Sequence, residues 1–343
     1  MGIFTSENEF VGVDVGSTAL RIVQIKKNSG KNSLVTFASA PIPGSISKSD
    51  SKLDMQTVAQ IIKNLFETTK ISTKSVVTSL PTSSVFSTVI KMPPMNKGEL
   101  ARAVRYQAEQ NIPLKIEDVR FDWQVVRENP MTKETAVMIV AAPKTKTERT
   151  LELFEMAGKQ VVYLETSAIA VARALSQPND PLTMILDIGG VATELTIIEN
   201  GVVSHVRSLP AAGFALTRSI SQSLGLDMEQ AEQFKMRFGL SQDKLEGQVF
   251  RAMKPVLVNI VDEVQRSLKF YQDQFGGSLK KILLTGGGSC TPELLSYLKT
   301  ELGVEVVYGN PWTNITFDPN LTGKLNENAF TFACAVGLAK REN

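Results

Sequence analysis

The stretch from Met184 to Thr196, MILDIGGVATELT, constrains this chain more than any other. Met184 to Leu186 are apolar and strand-forming, and they deliver Asp187 into Ile188-Gly189-Gly190. Glycines after a strand let backbone N–H groups approach an anion, and an aspartate just before them can hold the cation that accompanies a nucleotide. A single run of this kind is an ordinary strand exit. A second copy, FVGVDVGSTALRIVQI from Phe10 to Ile25, sets Asp14 on Asp187, Gly16 on Gly189, Ser17 on Gly190 and Leu20 on Thr193. Two strand-Asp-x-Gly hairpins, 173 residues apart (187 minus 14) in a chain of 343, predict a duplicated α/β fold with one phosphate loop from each half.

Composition removes competing classes. A net charge of +2 gives no bulk electrostatic case for nucleic acid or an acidic membrane surface. The chain has two cysteines, Cys290 and Cys334, without a CxxC spacing, and one histidine, His205. That excludes a sequence-evident Cys/His zinc site and suits a reducing compartment. Both cysteines read as small buried apolar residues and His205 as an ordinary strand residue. The N-terminal MGIFTSENEF lacks a charged flank followed by an apolar core, so it does not read as a signal peptide. No apolar run reaches a membrane-spanning length. A cytoplasmic protein is the expectation.

Along the chain, Leu34–Ala40 reads as a strand, Pro41–Ser51 as an exposed loop, and Met55–Thr69 as a helix with Met55, Val58, Ile61, Ile62, Leu65 and Phe66 on one stripe. Val76–Leu80 is strand-like and stops at Pro81-Thr82. Val85–Met92, a helix from Lys97 to about Gln110, Phe121–Arg127 and Thr135–Ala142, with a turn at Asn129-Pro130, form a β-α-β-β block that reads as an inserted subdomain or as extra strands of one large sheet. α/β patterning resumes from Lys144, with Glu165-Thr166-Ser167 opening an alanine-rich helix. Gln177–Pro181 reads as the hinge between halves. A third β-run (Gly201–Leu209), a helix entered at Ala212-Gly213, helices Met228–Phe238 and Leu245–Phe275, the strand Lys281–Thr285 running into Gly286-Gly287-Gly288-Ser289, and a terminal helix Glu327–Lys340 complete the reading. The expected division is residues 1–84 with 143–178 and 326–343 as a first lobe, 85–142 as the insert, 179–226 with 279–325 as a second lobe and 227–278 as a helical subdomain.

A nucleotide site needs phosphate-holding backbone loops, an acidic residue for hydrated magnesium, and a loop near the base. Gly16, Ser17 and Thr18 with Gly189, Gly190 and Thr193 supply the phosphate loops, Asp14 and Asp187 the magnesium contacts, and Gly286, Gly287, Gly288 and Ser289 the base-proximal loop. No GxxxxGK[ST] is present, so this is not a P-loop enzyme.

In this order, DVGSTALR, DIGGVATEL and LTGGGS resemble the phosphate-1, phosphate-2 and adenosine motifs of the actin, heat-shock-70 and sugar-kinase superfamily. That resemblance implies an actin-like ATPase (ribonuclease H-like) fold of two lobes around a nucleotide cleft, with ATP and Mg²⁺ as cofactors. It carries a water- or metal-orienting role onto Glu165, beside Asp187, although the proline that often follows that glutamate is missing. Glu263 and Arg266 resemble the Glu-x-x-Lys/Arg pair that contacts adenosine, and alternatively form a solvated helix face. Gly213 stands in a loop that is usually Gly-Gly.

Within the superfamily, Lys91-Met92-Pro93-Pro94-Met95, Glu99-Leu100-Ala101, Gln107–Gln110, Ile112-Pro113 and Asp122-Trp123 resemble the PilM family of type IV pilus assembly, with Gln107 where the pattern usually has glutamate. The resemblance implies a scaffold that captures the cytoplasmic N-terminal peptide of PilN, itself an inner-membrane protein, between the first half and the insert. It would then link the inner-membrane complex to the assembly ATPase and platform protein. Met92, Pro93, Met95 and Leu100 are the expected groove residues, unless that apolar stripe is simply core. Slow ATP hydrolysis at most is expected. The alternatives are an FtsA-like division protein and a small-molecule kinase of the same superfamily, with the PilM-like part of GspL in type II secretion as the nearest variant.

Overall fold

The computed structural model describes residues 10–28, 31–43, 46, 51–129, 133–327 and 329–342. The N-terminal decapeptide apart from Phe10, most of the Pro41–Ser51 loop and Pro130 of the Asn129-Pro130 turn lie outside the described residues. The chain divides into two compact units, one made of Met1–Leu80, Thr147–Leu175 and Asn310–Asn343, the other of Pro81–Lys146 and Ser176–Gly309. The insert groups with the second unit, and the segment from Asn310 groups with the first.

The first unit opens on the hairpin of β1 (Val11–Val15) and β2 (Ala19–Asn28), extended antiparallel by β3 (Lys31–Pro41). Helix α1 (Lys52–Thr68) starts at Ser51, whose hydroxyl accepts the Asp54 N–H at 3.1 Å, and it buries Met55, Val58, Ile62, Leu65 and Phe66 of the stripe read from sequence, with Ile61 half-buried at its edge. β4 (Ser75–Leu80) runs parallel to β1.

The insert follows as β5 (Phe86–Met92), α2 (Lys97–Asn111), β6 (Val119–Asn129) and β7 (Glu134–Pro143). It forms its own three-stranded antiparallel sheet, β5-β7-β6, and not an extension of a larger one. Asn96 and Glu99 close a reciprocal capping box at the start of α2. Leu100, Val104 and Ala108 then pack on Val137 and Ile139 of β7.

Helix α3 (Lys144–Met156) leads into β8 (Gln160–Thr166), parallel to β4, and α4 (Ser167–Leu175). Glu165 therefore sits at the end of a strand and not in the first turn of the following helix. The second hairpin is β9 (Thr183–Ile188) with β10 (Thr193–Glu199), extended by β11 (Val202–Leu209). Helices α5 (Gly213–Leu224), α6 (Met228–Phe238) and α7 (Gln248–Phe275) precede β12 (Lys281–Thr285), α8 (Leu294–Leu302) and β13 (Glu305–Tyr308). The chain then supplies β14 (Ile315–Thr316), α9 (Thr322–Asn326) and α10 (Ala333–Ala339) to the first unit.

Duplication is explicit in the topology. The first sheet has the order β14-β3-β2-β1-β4-β8 and the second β11-β10-β9-β12-β13. Apart from β14, strand order and direction repeat: two antiparallel pairings on one side of β1 or β9, two parallel pairings on the other. Each sheet is covered by apolar helix faces. Val11, Val13 and Ile22 meet Ile62 and Phe154 in the first unit, and Met184, Leu186 and Leu284 meet Leu216, Met253 and Leu257 in the second. Helix α10 lies so close to β1 that a side chain on Gly12 would overlap the backbone of Ala335 and Ala339.

Candidate functional site

The two hairpins close with the same turn. The Gly16 N–H donates to the Ala19 carbonyl at 3.1 Å, and the Gly189 N–H to the Ala192 carbonyl at 3.0 Å. A Cβ at Gly16 or Gly189 would stand 2.8 Å from that same carbonyl, which explains the glycine at both places. Among the described residues, no acceptor takes the N–H groups of Ser17 and Thr18 in the first turn or of Gly190 and Val191 in the second. Each turn thus presents paired donors with an aspartate two residues before its glycine, which is anion-binding geometry.

The aspartates differ in setting. Asp14 lies opposite Arg21 on β2, 4.0 Å from its guanidinium. Burial nevertheless pushes its carboxyl above the ordinary range, against the opposing pull of Arg21 and of a hydrogen bond with Cys334. Asp187 lies opposite Glu194 on β10. Like charges directly opposite are unfavourable, and Glu194 is instead engaged elsewhere, accepting the Thr82 N–H at 2.9 Å and the Thr82 hydroxyl at 2.8 Å. That buried clamp ties the start of the insert to β10, and no local sequence signal announced it.

The Gly286–Ser289 loop packs directly onto the second hairpin. Gly286 has φ of 88°, and a Cβ there would overlap the Asp187 carboxylate. A Cβ on Gly288 would stand 2.9 Å from the Ile188 carbonyl and 3.2 Å from that of Gly189. Gly287 is exposed, while Ser289 is buried and its hydroxyl donates to the Thr285 carbonyl at 2.5 Å. The Gly213 and Phe214 N–H groups at the start of α5 donate to the Gly189 and Gly190 carbonyls at 3.0 and 2.8 Å. Gly213 therefore braces the phosphate-type turn and has no N–H left for a ligand. Thr193 is also structural: fully buried, it donates its hydroxyl to Ala211 at 2.6 Å.

Beside Gly213 stands a pair that the sequence reading passed over. Lys235 of α6 is buried, with its ammonium 2.7 Å from Glu232, 2.9 Å from the Thr217 hydroxyl and 3.3 Å from the Gly213 carbonyl. Glu232-x-x-Lys235 has the spacing that the resemblance attached to α7, and the signal was available in Ala231–Lys235. Glu263 of α7, by contrast, faces β11: it accepts from Arg266 at 2.7 Å and from Arg207 at 3.3 Å. Burial raises the Glu263 pKa, but the bonds and charges of these two arginines outweigh it and hold the carboxyl below its ordinary value. The structure places Glu263 and Arg266 in a surface ion-pair group with Arg207.

Glu165 is locked. Arg173 grips both of its oxygens at 2.6 and 2.7 Å, and Arg341 adds a bond at 2.5 Å. These bonds clamp β8, α4 and the segment after α10 together, so both carboxylate oxygens have structural work. Met92 and Leu100 are each 6% exposed and belong to the core of the insert. Pro93 is exposed and Met95 half-buried, and these two remain at the surface. Among the described residues no group of three His, Cys, Asp or Glu side chains could cage a metal. One carboxylate per hairpin instead fits magnesium, which keeps much of its water shell.

Two α/β units with repeated strand order, each carrying an Asp-x-Gly hairpin, define a duplicated actin-like ATPase fold. The chain belongs to the family of the type IV pilus assembly protein PilM, whose family model matches residues 12–343. A solved PilM-PilN type IV pilus biogenesis complex is similar at 31% identity and a TM-score of 0.83, covering 97% of this chain and 98% of that one. MreB5 of Spiroplasma citri bound to AMPPNP, at 13% identity and a TM-score of 0.56 over 97% of this chain and 95% of that one, shares the fold. Among curated relatives, the cell division protein FtsA of Neisseria meningitidis is 27% identical over 43% of this chain and 38% of its own length. The ethanolamine utilization protein EutJ of Escherichia coli is 25% identical over 44% of this chain and 48% of its own. The chain thus spans under half the length of these two relatives. No helix among the described residues is long and apolar enough to cross a membrane.

Proposed function

We propose that this chain is an ATP-binding scaffold of type IV pilus assembly that captures the cytoplasmic N-terminal peptide of a PilN-type membrane protein. Through that peptide it is held at the inner face of the membrane and linked to the assembly motor. The observation that carries the nucleotide half is the repeated turn: the same Gly-to-Ala hydrogen bond, the same paired N–H donors and an aspartate at the same position in each unit. In the second unit the Gly190 and Val191 N–H groups bind phosphate oxygen, Asp187 holds hydrated Mg²⁺, and Gly286–Ser289 borders the base. In the first unit Asp14 with Gly16, Ser17 and Thr18 repeats that role. Mg-ATP held by these residues would supply the negative charge that the N–H groups are placed to meet, and binding that favours one conformation would shift the population toward it. Glu232 with Lys235 is the stronger adenosine-contacting pair, because it flanks Gly213. With Glu165 committed to two arginines, we propose hydrolysis that is slow at most.

The partner half is supported by full-length similarity at 31% identity to the PilM of a PilM-PilN complex. A peptide corresponding to a PilN N-terminal tail, titrated by calorimetry against the chain with and without ATP, tests both halves. Pro93→Glu changes an exposed side chain and should weaken peptide binding without altering ATP affinity. Unchanged peptide affinity in that variant would move the groove away from the Met92–Met95 turn.

A further inference from the structure

A ligand-sized opening lies within the second unit, and none of the glycine-loop residues lines it. It is a cavity of about 370 Å³ between the face of the insert's sheet that does not pack on α2 and the β11 and α7 elements. That volume falls at the small end of the range for small-molecule sites. Val89, Met138, Phe270 and Phe275 supply its apolar wall, and Lys91 and Arg207 its charge. Among the described residues no carboxylate lines it.

The charges are under-used. The Lys91 ammonium lies 5.3 Å over the Phe275 ring and reaches only the Gln274 carbonyl, at 3.4 Å. Arg207 shares Glu263 with Arg266, so one carboxylate answers two guanidinium groups and a net positive charge is left at the pocket. Phe270 is 48% exposed, with its ring 5.1 Å from that of His205. An exposed aromatic beside uncompensated cations favours a flat apolar body that carries an anionic group.

We propose that this cavity binds a small anionic amphiphile, its apolar body against Phe270, Phe275 and Met138 and its acid group on Lys91 and Arg207. The site is separate from the nucleotide reading and does not depend on it. Because its walls come from the insert and from β11 and α7, an occupant bridges the insert to the body of the unit.

Two dyes with nearly the same aromatic body test this on the full chain: anionic 8-anilinonaphthalene-1-sulfonate and uncharged N-phenyl-1-naphthylamine, followed by fluorescence. The sulfonate should saturate a single site and bind about tenfold or more tightly than its uncharged analogue. In Lys91→Ala/Arg207→Ala the two affinities should converge, while Phe270→Ala should weaken both. Both variants change exposed side chains, and circular dichroism confirms their folding. Equal affinities in the unaltered chain, no saturable binding, or a charge preference that persists in the double variant overturns the proposal.

Discussion

The β1–β2 and β9–β10 hairpins share a turn and differ in what surrounds the aspartate. Asp14 faces an arginine, and burial raises its carboxyl pKa above the ordinary value despite that neighbour. Asp187 faces a glutamate that has been drawn off to Thr82, and it packs against a glycine of the third loop. A duplicated fold thus keeps the backbone device in both copies while giving its two aspartates unequal electrostatic surroundings. Asp187 is the stronger candidate for magnesium.

The largest expected effect tests that inequality. Asp187→Ala should weaken Mg-ATP binding about a hundredfold and Asp14→Ala about tenfold or less, read by calorimetry. Equal losses would mean that the different surroundings do not matter.

Next comes the packing of the glycine loops. Gly286→Ala forces a side chain into φ of 88° against Asp187 and should cost about 3 kcal/mol, whereas Gly16→Ala, whose Cβ would meet only the Ala19 carbonyl at 2.8 Å, should cost about 1–2 kcal/mol. Chemical denaturation measures both.

Acidification separates the units by sign. His205, the chain's single histidine, has its pKa pushed down to about 4 by burial first and by Arg207 second, against the opposing pull of Glu263. The unfolded chain takes that proton at the ordinary 6.5, so the second unit loses stability as pH falls from 6.5 to about 4, by about 3 kcal/mol at most. Asp14 acts oppositely: its raised folded pKa means that stability is regained as pH falls toward 3.8. His205→Gln should flatten the loss in a stability-versus-pH series, and Asp14→Asn should remove the gain.

The smallest effect distinguishes the two Glu-x-x-basic pairs. Glu263→Gln should leave ATP affinity within about twofold, because its partners are solvated arginines, while Lys235→Met should lower it clearly more. The reverse result would restore the α7 pair as the adenosine contact.

Much of this was legible in the sequence because local chemistry decided it. Asp-x-Gly turns have few backbone solutions, and α6 and β12 fall on the expected residues because their periodicity and punctuation agree. β14 was not legible: two residues become a strand only by pairing with Asn32 and Ser33, far away in the chain. Apolar stripes are ambiguous by nature. Leu100, Val104 and Ala108 read identically as a groove wall or as core, and burial alone assigned them to core. Glu165 was placed by chain position, which says nothing of the two arginines that reach it from α4 and from the segment after α10. Glu263 was picked by spacing on a conspicuous long helix, and spacing says nothing of Lys235 on α6, whose ammonium reaches the Gly213 carbonyl.

The close seating of α10 on β1 also sets a timetable for synthesis. Ala335, Val336 and Ala339 complete a core that begins with Val23 and Ile25, more than three hundred residues earlier. The second unit has all of its chain once Gly309 has left the ribosome, whereas the first must keep an open apolar face until α10 emerges. The half of the protein made first is therefore the half finished last.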